Sequence, residues 1–231
     1  MVRTYEETIK EAAMDAINDA LAQSKLPTPD EIKGNILDNS RNAIVMYNSI
    51  AQTRAKWKIP TELVPFQIAY LMLHLHYVAL IKTNTSEKDA DCLPLGVYVD
   101  DEGLYTTDET AIRSIARQYK ESITRREMME VFDILREKAP RVNRCEDANL
   151  IAVNNGIFDY DTKTLLPFTP DKVFTSKSRV DYNPDAVNVV INNDEDGTDW
   201  DVESWMDTLS DDKGVVIILW QLMGAIIRPN V

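Results

Sequence analysis

The sequence predicts an α+β fold, mainly helical with a small β-hairpin in residues 1–145, followed by a short antiparallel β region and two C-terminal helices. Apolar residues recur every three or four positions through most of residues 1–145, which is the spacing of helices with one buried face. Residues 150–191 instead carry short apolar runs separated by turn residues, a pattern typical of strands. The 231 residues, 44% of them hydrophobic, are enough to bury a sizeable core.

The N-terminal part is predicted to contain three long helices. The first ends near Ser24, because Pro27 cannot continue it, and the second begins at the capping residues 38–40. The third spans roughly residues 61–81, where apolar side chains occur on almost every side and indicate a central place in the core.

A hairpin and two further helices are predicted next. Residues 95–106 read as a β-hairpin with its turn at residues 100–103, because Asp and Gly tolerate the dihedral angles of tight turns. Thr106 and Glu109 match a capping box that would start the following helix, and another amphipathic helix ends before Pro140.

The C-terminal part is predicted to consist of short strands and two helices. Strands are expected at residues 151–153, 156–160 and 165–168, and residues 173–182 are expected to be extended. An acidic loop at residues 192–201 then leads to the closing helices.

Charge is distributed unevenly along the chain. The net charge is −13, from 25 Lys and Arg and 38 Asp and Glu. Residues 61–110 and 191–231 each carry −7, whereas residues 111–150 carry +2. Nonspecific attraction to phosphate is therefore disfavoured overall, and any nucleic-acid contact is expected in residues 111–144.

The composition predicts a protein that works in the cytoplasm and not in a membrane. No apolar run reaches the ~20 residues of a membrane-spanning helix, and the N-terminus lacks the apolar segment of a secretory signal. Cys92 and Cys145 belong to no Cys-x-x-Cys motif or Cys/His cluster, which fits a reducing compartment and argues against zinc.

Patterns that bind nucleotides or catalytic metals are mostly missing from the sequence. Neither Gly-x-x-x-x-Gly-Lys-Ser/Thr nor Gly-x-Gly-x-x-Gly occurs, so no cofactor is expected in this chain. His74 and His76 are two positions apart on a predicted helix and therefore point in different directions, which favours structural roles.

One acidic stretch has nearly the spacing of a calcium-binding loop. Its oxygen-bearing residues alternate and end with a glutamate, at Asn192, Asp194, Asp196 and Glu203. Because Asn takes the place of the usual first Asp and the preceding residues read as extended, we interpret the stretch as a solvated acidic linker.

Asp159 and Asp161 form the sharpest enzymatic pattern. Two positions apart on a predicted strand, they share one face, as do carboxylates that hold paired magnesium ions in polymerase-like enzymes. Asp is also common in tight turns such as the one that follows, and we favour that interpretation.

A basic zone covers the segment expected to meet nucleic acid. Arg113, Arg117 and Lys120 recur at helical spacing, so they could follow a phosphate backbone, and their joint replacement by Glu is expected to abolish DNA binding. The zone is extended by Arg125, Arg126, Arg136, Arg141 and Arg144. The alternative is an ordinary solvated face, since glutamates are interspersed with these cations.

Several segments together resemble a known module. Residues 150–162, 166–170 and 178–186 are similar to the region that precedes the helicase in phage- and plasmid-borne replication primase-helicases, related to the poxvirus primase-helicase. That pattern contains an Asn followed by Gly-apolar-apolar-Asp, then a turn, a Pro-x-x-Pro-like stretch and an extended segment that ends in Asp-Tyr-x-Pro-x-Ala. The residues that match it are Gly156, Asp159, Asp181, Tyr182, Pro184 and Ala186.

The resemblance covers roughly residues 60–231, and residues 1–59 form an N-terminal helical region of unassigned role. Within the resembling region, a helical part (60–145), a β part (150–191) and closing helices (202–227) follow one another. The motor of this family, a superfamily 3 helicase that uses ATP and magnesium, is expected in sequence after Val231, beginning with a phosphate-binding loop.

The resemblance implies a non-catalytic segment of a DNA-replication primase-helicase. Such a segment would connect an upstream domain to a homo-oligomeric, hexameric ATPase and help to assemble that ATPase or load it on DNA. Two alternatives from other classes stay open: a metal-dependent nucleotidyltransferase built on Asp159 and Asp161, and a free-standing acidic adaptor that binds a basic partner protein.

The last predicted helix, at residues 213–227, should be buried. Only Gln221 is polar among the thirteen residues from Val215 to Ile227, and a helix that is apolar all round belongs in a core. The cover is expected to be the predicted third helix, a second copy of the chain, or sequence beyond Val231.

Overall fold

The computed structural model divides the chain into two compact units, residues 1–144 (unit 1) and residues 145–231 (unit 2). It describes residues 4–50, 56–82, 93–195 and 197–227. In these residues seven helices and nine short strands form an α+β fold that is mainly helical, which confirms the predicted fold class. Asp196 of the calcium-like stretch and Cys92 lie outside the described residues.

Unit 1 begins with two helices, α1 (Tyr5–Leu21) and α2 (Pro29–Ile50). The prediction that the second helix begins at residues 38–40 is wrong. A capping box starts it earlier, because Thr28 Oγ1 accepts from the amide of Glu31 at 3.3 Å while the Glu31 carboxylate accepts from the amide of Thr28 at 2.8 Å.

The predicted third helix is shorter than its apolar run. Helix α3 spans Pro65–Leu75, and strand β1 follows at Ala79–Lys82. Tyr77 adopts a φ of 47° between them, which a continuous helix cannot contain. The extension of this helix to residue 81 is therefore wrong, because an unbroken apolar run suits a buried strand as well as a buried helix.

A four-stranded mixed sheet lies beside these helices. The predicted hairpin is confirmed as β2 (Leu95–Val99) and β3 (Leu104–Thr106), and strand β4 follows at Arg141–Asn143. The order is β3-β2-β1-β4, with β1 antiparallel to β2 and parallel to β4. The parallel pair is absent from the sequence-based prediction.

Helices α4 (Glu109–Tyr119) and α5 (Arg125–Lys138) connect β3 to β4. The predicted Thr106 cap is wrong, because the side chain of Asp108 accepts from the amide of Thr110 at 2.8 Å and so caps α4. Helix α5 begins with a capping box formed by Thr124 and Glu127.

The core of unit 1 is mostly apolar and contains a buried polar pair. Gln67 on α3 is fully buried, and its Nε2 donates to the hydroxyl of Ser40 on α2 at 3.2 Å. The apolar core contains the fully buried side chains of Ile17, Ile32, Ile36, Leu63, Ile68, Leu71, Met72 and Val131.

Unit 2 contains an antiparallel meander of β5 (Leu150–Val153), β6 (Gly156–Asp159) and β7 (Thr164–Leu166). Residues 173–182, all of them described, contain no regular strand, although the backbone amide of Ser178 donates to the Ala152 carbonyl at 2.9 Å. The extended element predicted there is therefore not a strand, and its link to the meander consists of isolated backbone hydrogen bonds of this kind.

The acidic loop of unit 2 contains a small ladder. Strands β8 (Ile191–Asn192) and β9 (Asp199–Trp200) pair antiparallel, so the predicted linker is in part a hairpin. Helices α6 (Val202–Thr208) and α7 (Lys213–Ile227) follow. Both closing helices are thereby confirmed, and α7 has the predicted bounds.

Helix α7 is not buried within unit 2. In the described part of the helix Val216 is buried, whereas Ile218, Leu222 and Ile226 are 62%, 58% and 72% exposed. The expectation of burial on every side is therefore not met by the other residues of unit 2.

Candidate functional site

The turn between β5 and β6 fixes a distant segment of unit 2. Asn155 Nδ2 donates to the Tyr182 carbonyl at 3.0 Å, and the Tyr182 amide donates to Asn155 Oδ1 at 2.9 Å. Asn154 donates from Nδ2 to the Asp181 carboxylate at 2.8 Å and from its backbone amide to the Val180 carbonyl at 3.1 Å. We name the two asparagines and the three residues that they hold the asparagine clamp.

Gly156, the first residue of β6, lies where there is no space for a side chain. A Cβ at this position would lie 2.6 Å from the carbonyl oxygen of Leu166 and 2.9 Å from Leu165 Cδ1. The close approach of β7 therefore explains why the motif has glycine here.

Asp159 and Asp161 belong to the turn between β6 and β7. The Asp159 carboxylate accepts from the amide of Asp161 at 2.9 Å, and Asp161 accepts from Asn149 Nδ2 at 2.7 Å. Hydrogen bonds from the Thr162 side chain and from the amides of Asp161 and Thr162 hold the pKa of Asp159 below its ordinary value. Asp159 thus makes the local bonds that stabilise a tight turn, whereas Asp161 binds a side chain that precedes β5.

Tyr182 joins the clamp to the sheet. Its ring stacks on Phe158 of β6 with 4.4 Å between ring centroids, and its hydroxyl donates to the Lys163 carbonyl at 3.0 Å. Pro184 lies in the next turn, where the Asp185 amide donates to Asn183 Oδ1 at 2.9 Å. The motif residues therefore meet in one structural cluster with the two asparagines and Phe158, which we call the clamp cluster.

A cleft of about 910 Å³ opens beside this cluster within unit 2. One wall carries Phe158, Val180 and Tyr182, and α7 supplies Ile217 and Trp220 to the other. The lining is mostly apolar and aromatic, so the cleft suits an apolar or flat ligand group better than a phosphate.

The predicted basic face in unit 1 divides into engaged and free cations. Arg113 pairs with Glu109 at 2.5 Å and lies over the Phe132 ring at 5.2 Å. In the described residues no partner is found for Arg117, Arg125 or Arg126, which are exposed.

Lys120 is buried and held by two carboxylates. Its Nζ lies 2.6 Å from Glu127 Oε1 and 3.2 Å from Glu62 Oε2. Burial alone would lower the pKa of Lys120, but the bonds to these glutamates raise it above its ordinary value. The Lys120 bond and the amide of Thr124 lower the pKa of Glu127 to about 2. Lys120 therefore ties α4 to α5 and does not face solvent as a phosphate contact would.

No group of three His, Cys, Asp or Glu that could hold a metal ion occurs in the part of the chain that the structure describes. Around the predicted calcium-like loop, Asn192 lies in β8 and Glu203 in the first turn of α6, while Asn193 Oδ1 accepts from the Glu195 amide at 3.1 Å. Its described residues therefore form a hairpin turn and a helix start.

Comparison with protein families finds a match to the model described as "D5 N terminal like", over residues 2–211. The match includes the N-terminal helices of unit 1 and ends before α7. A comparison with curated proteins finds no match. Within the described residues, no helix combines the length and apolar character needed to cross a membrane.

The family match covers most of the chain and contains every residue of the clamp cluster. It agrees with the resemblance found in residues 150–186. The chain belongs to the D5 N terminal like family, the N-terminal domain of D5-like primase-helicases.

Proposed function

We propose that this chain is a non-catalytic segment of a replicative primase-helicase that helps to assemble a hexameric ATP-dependent helicase or to load it on DNA in the host cytoplasm. The family match over residues 2–211 carries this proposal. ATP and magnesium would act in the helicase motor, since the chain has no glycine-rich phosphate-binding motif.

The clamp cluster supports a scaffolding role for unit 2. Its carboxylates, Asp159 and Asp181, are used in hydrogen bonds that shape the backbone, and its aromatic pair of Phe158 and Tyr182 is stacked. Groups committed to the fold in this way position a segment of chain and leave the chemistry to another domain.

The first test measures activity of the isolated chain. Purified protein with ATP, magnesium and a single-stranded template should neither hydrolyse ATP nor synthesise primers. Magnesium-dependent nucleotide incorporation that Asp159→Asn abolishes would contradict the proposal and support a nucleotidyltransferase.

The second test uses the primase-helicase that contains this module. Tyr182→Ala should reduce hexamer formation or DNA loading, measured by sedimentation velocity with and without DNA, while Tyr182→Phe keeps the stack and serves as the matched control. Hexamers and unwinding that are unchanged by Tyr182→Ala would show that the module acts elsewhere.

For DNA contact we propose the exposed cations of unit 1 that have no partner in the described residues, Arg117, Arg125 and Arg126. This set differs from the predicted one, because Arg113 and Lys120 are paired with glutamates. Lys120→Glu would bury a third carboxylate beside two others, and so it would test folding instead of DNA contact. Removal of a cation that binds a phosphate should weaken DNA binding and reduce its salt dependence.

The DNA test compares two arginines on one helix. Arg117→Ala should weaken binding to a fluorescent single strand at low salt, whereas Arg113→Ala removes a cation already paired with Glu109 and should change binding less. Equal effects, or none, would contradict a role for the free cations.

A further inference from the structure

The outward side of α7 carries a continuous apolar stripe. Val215, Ile218, Leu222 and Ile226 are separated by three or four positions, so they lie along one side of the helix, and they are 40%, 62%, 58% and 72% exposed. We call these four residues the α7 stripe.

A different side of α7 faces the rest of unit 2. Val216 is buried, and Ile217, Trp220 and Gln221 line the cleft beside the clamp cluster. The stripe is thus a second, separate surface of the helix. Exposed side chains that repeat at helical spacing are the pattern by which one helix packs against another.

The unit that carries the stripe is strongly acidic. Unit 2 contains six Lys and Arg against sixteen Asp and Glu, a net charge of −10. In α6 and the turn that leads to α7, Asp207 pairs with Lys213 at 3.0 Å, while Glu203 and Asp211 make no ion pair within the described residues. A helix that docks on the stripe would therefore approach a unit of strongly negative net charge.

We propose that the α7 stripe binds an amphipathic helix of a partner protein, one whose apolar face is flanked by lysines and arginines. The inference goes beyond the proposed function, because it concerns a partner other than DNA or the helicase motor. Charge complementarity selects this occupant over a second copy, which would bring another −10 to the same interface.

The experiment uses two synthetic probes. One is a 14-residue, fluorescein-labelled peptide of Leu and Lys with its Leu residues on one helical face, and the other has Glu at each Lys position. Binding to the whole chain is measured by fluorescence anisotropy at low and high salt. The Lys peptide should bind with an affinity that falls as the salt concentration rises, and the Glu peptide should not bind.

Paired variants locate the site. The double variant Ile218→Ser with Leu222→Ser should bind the Lys peptide roughly tenfold or more weakly than the parent chain, because the apolar surface of the stripe is removed. The double variant Val187→Ser with Val189→Ser is the matched control, since these valines are 83% and 67% exposed in unit 2 outside the stripe. It should bind the peptide as the parent chain does.

Three results would overturn the proposal. The first is peptide binding that is unchanged by the stripe variant, and the second is equal binding of the Lys and Glu peptides. The third is sedimentation velocity that shows a dimer which only the stripe variant dissociates, since a second copy would then cover α7. None of these results bears on the ATPase or hexamer tests of the proposed function.

Discussion

His76 Nε2 lies 2.7 Å from the hydroxyl of Tyr119, in a hydrogen bond that joins the end of α3 to the end of α4. Burial lowers the pKa of His76, an effect that the Asp100 carboxylate opposes, and burial raises the pKa of Tyr119 to about 12. Both side chains are therefore held in their neutral forms at neutral pH. The two histidines of the chain thus differ, because His74 is exposed.

We predict that unit 1 loses stability as the pH falls through the ordinary histidine value of 6.5. Since the pKa of His76 is lower in the folded state, the unfolded chain binds the proton first, and acid favours unfolding until the folded pKa is reached. Urea unfolding followed by circular dichroism between pH 8 and pH 5.5 should show this decline. His76→Gln should flatten it, and His74→Gln should leave it in place.

Glu127→Gln should lower the free energy of unfolding of unit 1 by about 1–2 kcal/mol, because the only ion pair left to Lys120 would be the one with Glu62. The Glu127 side chain is 28% exposed, so the loss is smaller than for a fully buried pair. Glu130→Gln, on an exposed position of α5, is the control and should change little.

The same glutamate gives a second window of pH dependence. Its folded pKa of about 2 lies below the ordinary 4.5, so its stabilisation is full above pH 4.5 and is lost as the pH falls towards 2. A Glu127→Gln variant that retains the full acid sensitivity of the parent in this range would contradict the assignment.

Gly156→Ala should destabilise unit 2 by about 1–3 kcal/mol, because the new Cβ would lie 2.6 Å from a backbone oxygen of β7. Gly224→Ala is the matched control: nothing lies within 4 Å of its Cβ position, and alanine in a helix should stabilise by up to about 1 kcal/mol. Three of the four tryptophans, Trp200, Trp205 and Trp220, are in unit 2 and Trp57 is in unit 1, so tryptophan fluorescence during urea unfolding reports mainly on unit 2. If both variants lowered the free energy of unfolding, or both raised it, the argument that a Cβ at Gly156 has no space would be refuted.

Two substitutions at Tyr182 should separate its ring from its hydroxyl. Tyr182→Phe removes the bond to the Lys163 carbonyl and should cost about 1 kcal/mol. Tyr182→Ala also removes the stack on Phe158 and should cost about 2–3 kcal/mol. The same fluorescence-detected unfolding measures both, and equal losses would mean that the stack contributes nothing.

The sequence predicted elements well where local signals agree. Helix α7 was predicted with its observed bounds because a long apolar run begins directly after acidic residues and Lys213. The apolar run at residues 63–81 predicts one helix, whereas the structure divides the run between α3 and β1. The two elements have the same apolar composition, so composition cannot show where the helix ends. The break depends on the φ of Tyr77, which the surrounding structure imposes.

The site was harder to predict because its contacts join distant residues. Asn154 and Asn155 resemble ordinary turn residues, and their partners lie 27 positions further along the chain. Spacing placed Lys120 on a basic face, but Glu62, which pairs with it, comes from a different part of the sequence. Helical periodicity describes a single element and cannot show which side chains another element will cover.

The asparagine clamp has a consequence for the order in which unit 2 folds. Strands β5, β6 and β7 pair with their immediate neighbours, so these contacts close short loops, whereas the clamp closes a loop of 27 positions. Short loops close at a smaller entropic cost, and we therefore expect the meander to form before residues 180–182 dock on it. The transition state would then contain the meander without the clamp, and bonds formed after that barrier slow unfolding more than they speed folding. The two asparagines thus act mainly on the lifetime of the folded unit.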